Sequence, residues 1–166
     1  MTGRVGIIGH PVAHSLSPVF QGAAFATCGL DVHYEAWDTP PGRLPERIAS
    51  LRTPGCLGAN VTIPHKEAVI PLLDELGGLS ARVGAVNTIV NREGRLFGFN
   101  TDGPGFVAAL KNEAAFDPAG KDILLLGAGG AARGISFALG EALCRSITLW
   151  NRSPDRAYRL LAELTA

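Results

Sequence analysis

The chain lacks any excess of charge. Its 15 Lys and Arg residues balance its 15 Asp and Glu residues. The twelve Arg and three Lys are scattered, not clustered, which removes the electrostatic case for a nucleic-acid partner or an anionic membrane surface. Cysteine is sparse: Cys28, Cys56 and Cys144 form no C-x-x-C pair. An odd, widely spaced set reads as reduced, buried thiols, with no metal-ligand spacing and no metal expected. No apolar run approaches the length of a membrane span. Val5-Gly6-Ile7-Ile8 is too short for the apolar core of a signal peptide, so the cytoplasm is the expected location. Internal repeats and low-complexity segments are also absent. What remains is an ordinary globular composition, 46% apolar and 18% charged, in 166 residues. That length suits one large domain or two small ones.

Glycine is plentiful and placed with purpose. Leu124-Leu125-Leu126 reads as a buried-strand run that meets the turn Gly127-Ala128-Gly129-Gly130-Ala131-Ala132, which opens an apolar helix. A helix N-terminus offers unpaired N–H groups and a partial positive charge, and both attract pyrophosphate. Gly127 permits the tight turn, Gly129 allows close backbone approach, and Ala132 stands where a third glycine is common in dinucleotide sites. Ile147-Thr148-Leu149-Trp150 reads as a second strand, ending in Asn151-Arg152-Ser153 with Arg156 one turn on. An NAD unit places an acidic residue there for the ribose hydroxyl. Guanidinium groups bind phosphate instead, which favours NADP. Read alone, the same arginines are also a solvated pair at a helix start.

Strands alternate with helices along the chain, the pattern of an α/β fold with a mostly parallel sheet. Strands are expected at 4–9, 32–37 and 56–61. A helix capped by Ser17, with Pro18 in its first turn, is expected to run to about Cys28 and stop at Gly29. Leu44, Ile48 and Leu51 mark another, closed by Pro54-Gly55. A third is expected to begin near His65, turn Ala68, Val69, Leu72 and Leu73 inward, bend at Pro71 and end at Gly77-Gly78. Residues 85–90 and 95–98 read as a hairpin around Arg92-Glu93-Gly94. Helix 103–115 and the turn Asp117-Pro118-Ala119-Gly120 precede the nucleotide unit. The expected division is a substrate domain over 1–102, a linking helix and turn over 103–120, and the start of a Rossmann-type unit over 121–166.

Four polar segments fall where strands meet helices or turns, the usual place for sites in α/β proteins. Ser15 and Ser17 lie at a helix start, as a carboxylate clamp or as plain capping. Asn60, Thr62 and Lys66 surround an expected helix start. A lysine in a first turn faces the positive end of the dipole, which suits proton transfer, although an ordinary surface lysine fits the same position. Asn87 sits in apolar strand context, where an amide needs partners or a ligand. Asp102 opens a helix, where the dipole favours its carboxylate and where Asp is also a common cap.

These residues resemble a family. His14-Ser15-x-Ser17-Pro18, Asn60-Val61-Thr62-x-Pro64-x-Lys66, Gly84-Ala85-x-Asn87-Thr88, Asn100-Thr101-Asp102-Gly103, Gly127-Ala128-Gly129-Gly130-Ala131 and Asn151-Arg152 occur in the order found in shikimate dehydrogenases. The resemblance implies reversible, NADPH-dependent reduction of 3-dehydroshikimate to shikimate, a step of aromatic amino-acid and chorismate biosynthesis. It implies Ser15 and Ser17 on the substrate carboxylate, Thr62, Asn87 and Asp102 on the ring hydroxyls, and Lys66 with Asp102 as the catalytic pair. It also implies Gly127, Ala128, Gly129, Gly130 and Ala131 around the pyrophosphate, and Asn151, Arg152, Ser153 and Arg156 around the adenosine ribose and its 2′-phosphate. A monomer or homodimer is expected.

Two departures stand out. Gln21-Gly22 replaces the His-Asn pair usual after the Ser-Pro motif. The nucleotide unit has two strands, where a complete doubly wound domain has six. An open sheet edge and an exposed apolar face are therefore expected, with weak cofactor binding and little turnover. A quinate/shikimate or aminoshikimate dehydrogenase and a non-catalytic binding module are the alternatives. Arg152 argues against an NAD-linked quinate enzyme.

Overall fold

In the computed structural model, residues 2–165 are described. They form two compact units, split between Phe99 and Asn100.

The first unit is built on a six-stranded sheet. Its elements are β1 (Gly3–Gly9), α1 (Ser17–Thr27), β2 (Val32–Asp38), α2 (Leu44–Ser50), β3 (Cys56–Val61), β4 (Glu75–Leu76), α3 (Ser80–Val83), β5 (Thr88–Arg92) and β6 (Arg95–Phe99). The strand order is β2-β1-β3-β5-β6-β4. β1 runs parallel to β2 and β3, β5 is antiparallel to β3 and β6, and β4 is parallel to β6. Strand alternation sends successive side chains to opposite faces. One face carries Ile8, Ala59, Val61 and Ile89, packed with Leu44, Ile48, Leu51, Val69, Val86 and Leu96 into a closed core. Each such aliphatic side chain contributes about 1.5–3 kcal/mol on burial. α2 reaches this core because Leu44, Ile48 and Leu51 recur at helical spacing.

Several expectations need correction. Leu16, not Ser17, is the N-cap of α1, and Ser17 is its first residue. The Ser15 hydroxyl oxygen takes the Ser17 N–H at 3.2 Å, so an orphan donor is satisfied from two residues upstream. No α-helix starts at His65. Residues 64–69 form turns, followed by a 3₁₀ turn at Ile70–Leu72 and then β4. Pro71 has no N–H to give the Glu67 carbonyl, so the segment closes with shorter bonds, Ile70 N–H to Glu67 O and Leu72 N–H to Val69 O. The dipole argument for Lys66 lapses with that helix. β5 begins at Thr88, after α3, so Asn87 stands just before the strand. Cys28 is exposed at the end of α1 and Cys144 is half-buried; Cys56 alone is buried.

The second unit contains α4 (Asp102–Asn112), β7 (Asp122–Leu126), α5 (Gly130–Glu141), β8 (Ser146–Trp150) and α6 (Pro154–Leu164). β7 and β8 form a two-stranded parallel sheet, in register from Asp122↔Ser146 to Leu126↔Trp150. α4 packs on α5, which buries Phe137, Ala138 and Leu139, and α6 buries Leu160. On the sheet, Leu124 is 63% exposed, Leu126 70% and Trp150 63%.

Candidate functional site

In the first unit, parallel β1 and β3 bring their C-terminal ends side by side. The Thr62 N–H donates to the Ile8 carbonyl at 2.8 Å and the His10 N–H to the Ile63 carbonyl at 3.0 Å. Gly9 makes this approach possible, since a Cβ there would lie 2.5 Å from the Thr62 methyl. The start of β5 joins the same end. The Val61 N–H donates to the Asn87 carbonyl and the Val86 N–H to the Lys66 carbonyl, both at 2.8 Å. Thr62, Lys66 and Asn87 thus share one end of the sheet, each half-buried. His65, 1% exposed, donates from Nε2 to the Thr39 carbonyl at 2.6 Å and ties the Lys66 turn to the chain beyond β2.

A side-chain network runs through this end. The Tyr34 hydroxyl donates to Asn60 Oδ1 at 2.7 Å. Asn60 Nδ2 lies 3.4 Å from both the Asn87 carbonyl and Thr88 Oγ1. Thr88 Oγ1 donates to Asn87 Oδ1 at 3.0 Å. Burial pushes the Tyr34 phenol up to about 12, opposed by a hydrogen bond from Ser17. Tyr34, Asn60, Thr88 and Asn87 are therefore contiguous. The sequence reading missed Tyr34. Its one signal was a polar-tipped aromatic in a strand, a residue that seeks a partner when its tip is covered.

Asp102 lies in the second unit as the first residue of α4, and its N–H donates to Oδ1 of buried Asn100 at 3.2 Å. Gly103 presses against the Gly134 carbonyl, and a Cβ there would also lie 2.8 Å from the Ala138 methyl. The start of α4 is thus fixed against α5 by a contact that no larger residue permits.

The glycine turn leads from β7 into α5. Gly127 has φ +120°, where glycine is favoured, and its N–H donates to the Trp150 carbonyl at 2.8 Å. Gly129 caps α5 without a side chain, and the first turn of α5 carries no acidic residue. A Cβ at Gly127, Gly129 or Gly130 would meet nothing within 4 Å, so the backbone is open to an incoming group. Ala128 is half-buried and Ala131 exposed. After β8, Asn151 Nδ2 donates to the Ser153 carbonyl at 2.8 Å and shapes the turn into α6. Arg152, Ser153 and Arg156 are exposed there. An open cradle at a helix N-terminus beside two exposed arginines fits a dinucleotide carrying an extra phosphate. Among the described residues, no His, Cys, Asp and Glu cluster is arranged to hold a metal ion, and no helix is long and apolar enough to cross a membrane.

The chain is 55% identical over 163 residues to the shikimate dehydrogenase (NADP(+)) of Moorella thermoacetica, covering 98% of this chain and 55% of that protein. It therefore spans about half the length of the curated relatives it matches. The crystal structure of shikimate 5-dehydrogenase from Thermus thermophilus, in complex with NADP(H) and shikimate, superposes with a TM-score of 0.91 at 47% identity, covering 98% of this chain and 61% of that one. A ligand-free 5-ketofructose reductase of Gluconobacter sp. strain CHM43 superposes with a TM-score of 0.92 at 34% identity, covering 99% and 59%. Residues 7–89 match the shikimate dehydrogenase substrate binding domain. That match covers the sheet end where Asn60, Thr62, Lys66 and Asn87 gather, and the chain belongs to the shikimate dehydrogenase family.

Proposed function

We propose that the first unit binds shikimate and 3-dehydroshikimate, and that the chain is the substrate-binding half of an NADP-dependent shikimate dehydrogenase together with the start of its cofactor unit. The observation that carries this reading is the gathering of Thr62, Lys66, Asn87 and the Tyr34–Asn60 pair at one sheet end, inside the matched domain. Ser15 and Ser17 would hold the carboxylate, with Ser15 already fixed by its contact to the Ser17 N–H. Thr62, Asn87 and Asp102 would take ring hydroxyls. Lys66 would hold and move the proton at the reacting oxygen, with Asp102 as the second member of the pair. When bound, the nicotinamide supplies or takes the hydride. Gly127, Ala128, Gly129, Gly130 and Ala131 would hold the pyrophosphate through backbone N–H groups. Asn151, Arg152, Ser153 and Arg156 would hold the ribose and its phosphate. The reading carries with it a cytoplasmic location and a monomeric or homodimeric state.

Substitution of Lys66 tests the chemistry. In a steady-state assay with shikimate and NADP, Lys66→Ala is expected to abolish the little turnover the chain supports while shikimate affinity changes little. Unchanged turnover removes Lys66 from its role. NADP is expected to bind more tightly than NAD, and Arg152→Ala to erase the difference; equal affinities in the unaltered chain remove the role given to Arg152.

A further inference from the structure

The Tyr34 phenol lies outside every motif that carries the family resemblance, yet it occupies the centre of the polar network. Tyr34 sits on edge strand β2 opposite Val5, and Asn60 sits on β3 opposite Ile7. The phenol therefore reaches over β1, across two strand spacings of about 4.8 Å each. A Phe would stop short of a partner, and a smaller polar residue would not span the gap. The ring is held from the other side by Phe25 of α1, with centroids 6.4 Å apart. Its single proton is committed to Asn60 Oδ1.

We propose that Tyr34 is a positioning residue for substrate. It locks the Asn60 amide, and through it Thr88 and Asn87, to a ring seated against Phe25, so that groups from β3 and the start of β5 are set before the ligand arrives. This rests on the substrate reading above. Tyr34 does not itself donate to substrate, because its proton is spent on Asn60. The benefit is preorganisation: two amides and a hydroxyl whose rotamers are already chosen have less freedom left to lose on binding. Burial keeps the phenol neutral across the working range, so the proton it shares with Asn60 is always present.

Tyr34→Phe, which keeps the ring against Phe25, tests the proposal in two arms. In the ligand-free chain, the substitution is expected to move the side-chain amide NMR signals of Asn60 and Asn87. Unmoved signals overturn the network whatever the ligand. In a shikimate titration, Tyr34→Phe is expected to weaken binding about tenfold, the equivalent of one net hydrogen bond. That loss is expected to shrink to about twofold in an Asn60→Ala background, because coupled partners are not additive. A full tenfold loss in that background shows a general packing effect and overturns the positioning role. Equal affinity of Tyr34→Phe and the unaltered chain overturns the inference alone. Absence of shikimate binding by the unaltered chain, with the amide signals shifted as expected, overturns the substrate reading and the positioning role with it.

Discussion

The two sheets are written in similar sequence and meet different fates. Ile7-Ile8 in β1 and Leu124-Leu125-Leu126 in β7 are both apolar runs followed by a glycine. In the first unit the run has a strand on each side and helices over it, and Ile8 is fully buried. In the second, β7 has one neighbour, and Leu124 and Leu126 face outward. An apolar strand records a demand for burial. Whether the demand is met depends on how many strands and helices surround it.

The largest effects that break this contrast fall in the first core. Leu96→Ala or Ile8→Ala is expected to cost about 2–5 kcal/mol, read by urea denaturation, because each empties a filled site. A cost no larger than that of a surface change would show that the first core is not closed. Gly103→Ala comes next, at about 1–3 kcal/mol, because the added methyl meets the Gly134 carbonyl and the Ala138 methyl. The loss should appear as faster hydrogen exchange in α4 and α5, with β1 and β3 unaffected.

Smaller effects sharpen the same comparison through pH. The Arg52 guanidinium, followed by the Leu96 N–H, holds the Asp74 carboxyl below its usual range. In the second unit, Arg145 and then Ser146 do the same for Asp122. A lowered folded value means the stabilising contribution is full above the unfolded carboxylate value and fades as pH falls through the folded one. Thermal midpoints are therefore expected to decline below about pH 4, the ordinary aspartate range. Asp74→Asn is expected to flatten the part of that decline carried by the first unit, with its deficit present at pH 7 and gone in acid. An unchanged acid slope would remove Asp74 from the balance. The smallest expected change is at Leu124→Ser, within about 0.5 kcal/mol because nothing is uncovered. A loss as large as that of Leu96→Ala would mean the β7 face is covered after all.

Strands 56–61, 3–9 and the hairpin at Glu93-Gly94 were legible because turn chemistry and apolar runs are local signals. The segment 64–76 was not. Its apolar spacing is helical, but Pro71 removes a bond that a helix would need, and the chain settled for turns and a short strand. Ser17 looked like a cap, yet the cap geometry fell one residue earlier because Ser15 was the better-placed acceptor. At the candidate site, Thr62 and Asp102 stood at strand and helix boundaries that pattern could locate, whereas Asn87, read inside a strand over 85–90, stands just before it. Tyr34 stayed hidden because its partner Asn60 is 26 residues away and joins it only through pairing across β1.

We propose that one end of the first sheet is a built site for a hydroxylated ring carboxylate. The most direct measurement is an NMR titration of this chain with shikimate. Signal changes are expected to concentrate at Ser15, Ser17, Thr62, Lys66 and Asn87 and to saturate. Shifts that are absent, or spread over the exposed Leu124–Trp150 face with these five residues unmoved, would contradict it.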